Sequence, residues 1–255
     1  LVRLADSARE RRLAGLMLLD GEHLIRACHE GGLQISVLAI GQSAYARPVL
    51  KSLFESAHAD SRLLLADRLL EAISPVSTPA GLVAAVRIPA LGPFPEAPET
   101  CLMIEGVQDP GNLGSMLRTA VAAGLRHVAL SKGCASPWSP KVVRAGMGAH
   151  FRLVIHEQAD LEGLARGFRG MTIATQPRAA RHLYEVALEG PIAWLFGNEG
   201  SGLSPALLEC AKTRLSIPMP GPVESLNVAG ALAVCLFEQL RRNGGRPRAS
   251  QAQAL

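Results

Sequence analysis

The chain has 255 residues, 48% hydrophobic and 19% charged, which suits one large α/β domain or two of ordinary size and excludes bulk disorder. Aromatic residues make up only 4%, which argues against a base-stacking aromatic sheet as the device for holding nucleic acid. The net charge of +4 leans toward a polyanionic partner, and the excess is local: residues 100–255 carry 16 Lys/Arg against 11 Asp/Glu, residues 1–99 only 10 against 11.

Taken in chain order, residues 15–19 read as a strand, 22–31 as a helix, 34–40 as a strand, 48–57 as a helix, and 62–66 and 82–88 as strands. Residues 1–88 are therefore expected to form a small α/β domain. Four prolines between Pro89 and Pro98 suit neither a helix interior nor a central strand, so 89–99 is expected to be a stiff, extended linker. Beyond it, six short apolar runs at 101–105, 128–131, 151–155, 171–175, 192–196 and 214–217 alternate with helix-like segments. Strands apolar on both sides of the pleat belong between two helix layers, which predicts a parallel α/β sheet over 100–243. A last helix is expected from Ser225 to Arg242, apolar nearly all round, as at a subunit contact. Residues 244–255 lack apolar anchors and read as a frayed, flexible tail.

Five widely spaced cysteines form no Cys-x-x-Cys and have no histidine at ligand spacing, so no metal centre is expected and a reduced, cytoplasmic setting fits best. No apolar run approaches 18 residues and the first twelve residues are too charged for a signal peptide, so neither export nor membrane insertion is expected.

Three segments after the linker place glycine, proline and polar residues at the ends of expected strands, where open α/β sheets bind ligands. In the first, Asp109-Pro-Gly leads into a helix, with Asn112 at its start and Arg118 about two turns in. Asn112 and Arg118 could hold a phosphate or carboxylate, or be a cap residue and a solvated cation. The second, Gly197-Asn-Glu-Gly-Ser-Gly202, permits close backbone approach, but its glycine spacing is not G-x-G-x-x-G. Its Glu199 is either a ligand-facing carboxylate or a loop charge. The third runs from Ile217 through three prolines to Ser225 and Asn227; Ser225 stands at an expected helix N-cap and Asn227 two residues on. No G-x-x-x-x-G-K-[ST] phosphate loop occurs.

Together, Asp109-Pro-Gly-Asn-Leu-Gly-Ser-Met-Leu-Arg-Thr-Ala120, Leu195-Phe-Gly-Asn-Glu-Gly-Ser-Gly-Leu203 and Ile217-Pro-Met-Pro-Gly-Pro-Val-Glu-Ser-Leu-Asn-Val-Ala229 resemble, in order and spacing, the three motifs of the SpoU family of RNA ribose 2′-O-methyltransferases, within the SPOUT superfamily. The first domain also resembles that family's small RNA-binding domain, and residues 133–148 its middle segment, although Gly146 stands where many relatives have Ser. The resemblance implies a catalytic domain whose C-terminal chain is threaded into a deep trefoil knot. It implies S-adenosylmethionine held there largely by backbone groups at Gly197, Ile217 and Leu226, with Leu195 and Met219 as apolar walls. It implies a homodimer, and catalysis by Arg118 with Asn112, Glu199, Ser225 and Asn227 orienting the reactants. Arginine stays protonated at neutral pH, so Arg118 is expected to position phosphate and hydroxyl rather than act as a base. Arg9, Arg11 and Arg12 are candidate phosphate contacts or simply a solvated helix face. Two-domain relatives point to a guanosine of large-subunit rRNA as substrate. A tRNA and a non-catalytic role in ribosome assembly are the alternatives.

Overall fold

The computed structural model describes residues 1–76, 78–90, 92, 94–95 and 98–244. All of the expected tail except Gly244, and Leu91, Pro93, Glu96 and Ala97 of the expected linker, lie outside the described residues. The chain divides into two compact units, Leu1–Ala90 with Ser136–Arg152, and Leu91–Ala135 with Leu153–Leu255. The stretch 136–152, which the sequence reading places inside the second domain, thus clusters with the first unit.

The first unit opens with two short helices, α1 (Val2–Asp6) and α2 (Ala8–Ala14), followed by β1 (Leu16–Asp20), α3 (Glu22–Glu30), β2 (Ile35–Gly41), α4 (Gln42–Tyr45), α5 (Pro48–Ser56), β3 (Ala59–Leu65), α6 (Asp67–Ile73) and β4 (Leu82–Arg87). Among the described residues its sheet has the order β1-β4-β2-β3, with β2 and β3 parallel and the other pairs antiparallel. Ser7 caps α2 by accepting from the Glu10 amide, and Gly15 closes it at φ 62°. Arg11 is buried, its Nη1 donating to the carbonyls of Leu4 at 2.6 Å and Ala5 at 3.2 Å. It therefore ties α1 to α2 and is not free for a phosphate.

In the second unit β5 (Cys101–Ile104), α7 (Pro110–Ala122) and β6 (His127–Leu130) come first. The chain then contributes α8 (Pro140–Gly146) and a 3₁₀ turn at Ala149–Phe151 to the first unit. It returns through β7 (Val154–His156), α9 (Leu161–Gly167), β8 (Met171–Thr175), a 3₁₀ turn at Leu183–Glu185, β9 (Ile192–Phe196), α10 (Pro205–Cys210), β10 (Thr213–Leu215) and α11 (Val228–Arg242). The run expected at 151–155 starts late because its first residue closes the 3₁₀ turn. The six strands are parallel in the order β10-β8-β9-β5-β6-β7. Every residue of β5 and β9 is buried, as a central strand between helix layers requires. Below the sheet, Gln239 of α11 accepts from Trp194 Nε1 of β9 at 2.8 Å, so the indole keeps a partner although both side chains are buried.

The last helix begins three residues later than expected. Asn227, not Ser225, is its N-cap: Asn227 Oδ1 accepts from the amides of Ala229 and Gly230, while Ser225 stays on the preceding exposed loop. The helix buries Leu232, Cys235, Leu236 and Gln239 along one stripe and leaves Phe237 47% exposed.

Candidate functional site

Sheet order places the site. From β5 the chain moves outward through β6 and β7, crosses to the other side as β8, and returns inward as β9, which lies between β8 and β5. The loops after β5 and β9 leave from the carboxyl ends of adjacent strands at a topological switch point, where a parallel sheet opens a crevice. Ile104 and Phe196 are register partners at this edge.

The loop after β9 is shaped by its glycines. A Cβ at Gly197 would collide with the Gly202 carbonyl and the Leu203 amide nitrogen, because the loop folds back on itself there. The close approach is locked by two backbone bonds of 3.0 Å between Asn198 and Gly202, the latter at φ 70°. Asn198 staples the two loops together: its Nδ2 donates to the Gly106 carbonyl at 2.8 Å, while its Oδ1 accepts from the Gly200 and Ser201 amides. Gly106, at φ 64°, donates in turn to Ser131 Oγ.

On this frame the three separated motifs meet through side chains. Asp109 caps α7 by accepting from the Asn112 amide at 2.7 Å, with Pro110 at the first helical position, where no donor is lost. Asn112 Nδ2 donates to Glu199 Oε1 at 3.0 Å, and Asn227 Nδ2 donates to Asn112 Oδ1 at 2.8 Å. Glu199 also accepts from the amides of Gln108 and Asp109 and from Asn198 Nδ2. Burial opposes the Glu199 charge, but hydrogen bonds from the Asn112 side chain and from the amides of Glu199, Asp109 and Gln108 outweigh it and hold the carboxyl below its ordinary range. It stays ionised and fixes which way the Asn112 amide faces.

Arg118 and Ser225 are not part of this chain of bonds. Arg118 is exposed on α7 and, among the described residues, makes no hydrogen bond or ion pair. Ser225 and Leu226 are exposed, and Ile217 and Met219 half-buried. Leu195 is fully buried in the core beneath the loops. Among the described residues no backbone bond engages the amides or carbonyls of residues 217–226. A proline-stiffened stretch with unclaimed donors and acceptors suits a ligand held by main-chain groups, and Ile217 and Leu226 lie in it.

Two features escaped the sequence. Asn198 was one more polar residue among glycines, and nothing marked its double use as a staple. The clip at the start of the third segment is tertiary: Ser216 donates its amide to the Arg181 carbonyl at 3.0 Å and accepts from the Leu183 amide at 2.9 Å, with His182 Nδ1 3.0 Å from Ser216 Oγ. It holds residue 216 against a segment more than thirty positions away. Among the described residues no His/Cys/Asp/Glu group is arranged to hold a metal, and no helix is long and apolar enough to cross a membrane.

Residues 99–237 match the model of the SpoU rRNA Methylase family. The chain is similar to an uncharacterized tRNA/rRNA methyltransferase of Synechocystis sp., 34% identical over 94% of this chain and 89% of that protein. It is also similar to the 23S rRNA (guanosine(2553)-2′-O)-methyltransferase RlmP of Bacillus subtilis, 31% identical over 90% of each. Among solved structures, the SpoU methyltransferase AviRb of Streptomyces viridochromogenes in complex with AdoMet superposes with a TM-score of 0.85, at 25% identity over 96% of this chain and 97% of that one.

Proposed function

This chain belongs to the SpoU rRNA methylase family, and from that premise we propose that it methylates a ribose 2′-hydroxyl of RNA, at a guanosine of large-subunit rRNA, with S-adenosylmethionine as the methyl donor. The observation that carries the reading is the bonded sequence Asn227–Asn112–Glu199, which joins side chains 87 and 115 positions apart at the switch point of the sheet. The donor fits the second unit, and a solved structure similar over nearly its whole length carries AdoMet.

When bound, S-adenosylmethionine supplies an electrophilic methyl group on a sulfonium. Gly197, Ile217 and Leu226 would hold it through main-chain groups, with Met219 against its apolar parts, in a knotted arrangement of the chain. A 2′-hydroxyl must be placed in line and relieved of its proton as it attacks. Glu199, held below its ordinary pKa by several donors, is too weak a base for that task, and its part is to fix Asn112. Asn112 and Asn227, oriented by each other, present fixed amide groups to the target nucleotide. Arg118, with no partner among the described residues, keeps its guanidinium donors for a phosphate and for negative charge growing on the 2′-oxygen. Ser225 faces the same reactants from the third motif.

The first unit reads the shape of the RNA. The exposed Phe237 on α11 suits a homodimer built through the second unit. We infer a cytoplasmic setting, in line with the similarity to a bacterial 23S rRNA methyltransferase. The test uses the purified chain with methyl-labelled S-adenosylmethionine and, separately, protein-free large-subunit rRNA and total tRNA. Label should enter the rRNA at one guanosine 2′-oxygen, and Arg118→Ala should slow it about 100-fold. Label in tRNA alone would overturn the substrate assignment, and a folded protein that binds no S-adenosylmethionine would overturn the activity.

A further inference from the structure

A second concave surface of the methyltransferase unit lies along β10, the strand at the free edge of the six-stranded sheet. It encloses about 610 Å³ and is lined by Arg178, Arg181, Lys212 and Arg214, with Gln176, Thr213 and three alanines completing the wall. No carboxylate lines it among the described residues. Two of its four cations are already fixed. Lys212 Nζ donates to the Gly170 carbonyl at 2.6 Å and the Phe168 carbonyl at 3.4 Å, and Arg214 grips the Leu208 carbonyl through Nε and Nη2. The other two, Arg178 and Arg181, make no side-chain hydrogen bond or ion pair among the described residues. Four exposed cations with no carboxylate among the residues lining this concavity present a positive potential to solvent, which favours an anion there.

The wall also says which anion. Nothing apolar larger than alanine lines it, so it lacks the aromatic or aliphatic anchors on which protein interfaces depend. Guanidinium and ammonium groups spread along a strand edge match a chain of phosphodiesters instead. Position adds a direction. Arg178 and Ala179 line this concavity and also the neighbouring one, whose other wall is formed by Ile217, Met219, Val223 and Glu224 of the third motif. The two surfaces are thus continuous, and the groove leads from the loop assigned to the cofactor to the sheet edge.

We propose that the β10-edge groove binds the phosphodiester backbone of the substrate RNA flanking the target nucleotide, with Arg178 and Arg181 as mobile contacts and Lys212 and Arg214 as preset ones. The proposal rests on the RNA methyltransferase reading and adds to it a substrate path on the catalytic unit. It assigns part of RNA recognition to residues 176–214 and not to the first unit alone.

The test compares the full-length chain with R178E/R181E and with the charge-preserving R178K/R181K, using protein-free large-subunit rRNA and S-adenosylmethionine. The Glu pair should raise the KM for RNA about 30-fold and flatten the log–log salt dependence of RNA binding by about 1 to 2. The Lys pair should stay within about threefold of wild type. Calorimetry with S-adenosylmethionine on the single variant R181E, whose residue lines the β10-edge concavity and not the cofactor-side one, should give wild-type affinity together with a raised KM for RNA, which separates groove damage from damage to the neighbouring cofactor loop. An unchanged salt slope with KM within about twofold for the Glu pair would overturn the groove while leaving the enzymatic reading intact. RNA binding lost in R178E/R181E while the wild-type chain binds RNA but methylates no rRNA would uphold the groove and overturn the enzymatic reading. Polyglutamate competing as well as an RNA of equal charge would overturn the assignment to a nucleic-acid backbone.

Discussion

Gly197→Ala is the most decisive single perturbation of the site. The added methyl would sit well inside the 3.0 Å that real Cβ atoms respect, and the atoms it meets are the main chain of Gly202 and Leu203, which cannot swing aside as a flexible side chain does. Relief requires the loop to open at the Asn198–Gly202 bridge. Two backbone bonds of 3.0 Å are then lost, at about 1 kcal/mol each, and residual overpacking adds about 1–3 kcal/mol. The expected cost is about 3–5 kcal/mol, with the loop displaced from its position beside Asn112 and Glu199. Gly200→Ala is the matched control: its nearest neighbour is Asn198 Oδ1 at 3.5 Å and its φ is not positive, so it should cost under about 0.5 kcal/mol. Trp194 lies in the second unit and Trp138 in the first, so urea unfolding followed by fluorescence in a Trp138→Phe background isolates the relevant transition. Calorimetry with S-adenosylmethionine supplies the functional readout. If Gly197→Ala were as stable as Gly200→Ala and bound the cofactor normally, the claim that the folded-back loop forms the site would be refuted.

Other outcomes test separate parts of the account. Asn227→Asp keeps the oxygen that caps α11 but turns the group facing Asn112 Oδ1 from a donor into an acceptor; methyl transfer should fall about 100-fold while urea stability changes by under about 0.5 kcal/mol. Gln239→Leu strands the buried Trp194 indole N–H, and the second unit should lose about 1–3 kcal/mol. In the first unit, burial pushes the fully buried His150 down to about 4, although the Pro137 carbonyl at Nε2 works the other way. The unfolded chain, with histidine at its ordinary value near 6.5, then binds the extra proton first, so stability is full above that value and declines as pH falls toward 4. Between pH 7 and pH 5 the loss should be about 2 kcal/mol, read from Trp138 fluorescence, and His150→Phe should remove that slope. A wild-type slope retained in His150→Phe would assign the pH dependence to another group.

Periodicity and turn chemistry were sufficient to read the strands, because an apolar run between glycine and proline marks a buried strand wherever it falls. All six strands of the second unit and all four of the first appear within a few residues of the expected places. The short helices α1, α2, α4 and α6 were not legible: they span four to seven residues, too few for a helical period to stand out. The late start of α11 follows from competition between two capping side chains, which Asn227 wins by reaching two amides at once.

The sequence by itself determined the parallel α/β architecture of the second unit and the three polar, glycine- and proline-rich segments at its strand ends. These depend on which residues stand next to one another along the chain. Only the tertiary structure decided that Asn112, Glu199 and Asn227 form one bonded chain, that Arg11 is an internal tie, and that Arg178, Arg181, Lys212 and Arg214 share one groove. Those facts turn on strand order and on hydrogen bonds between residues up to 115 positions apart, and no local pattern of side chains encodes such a distance.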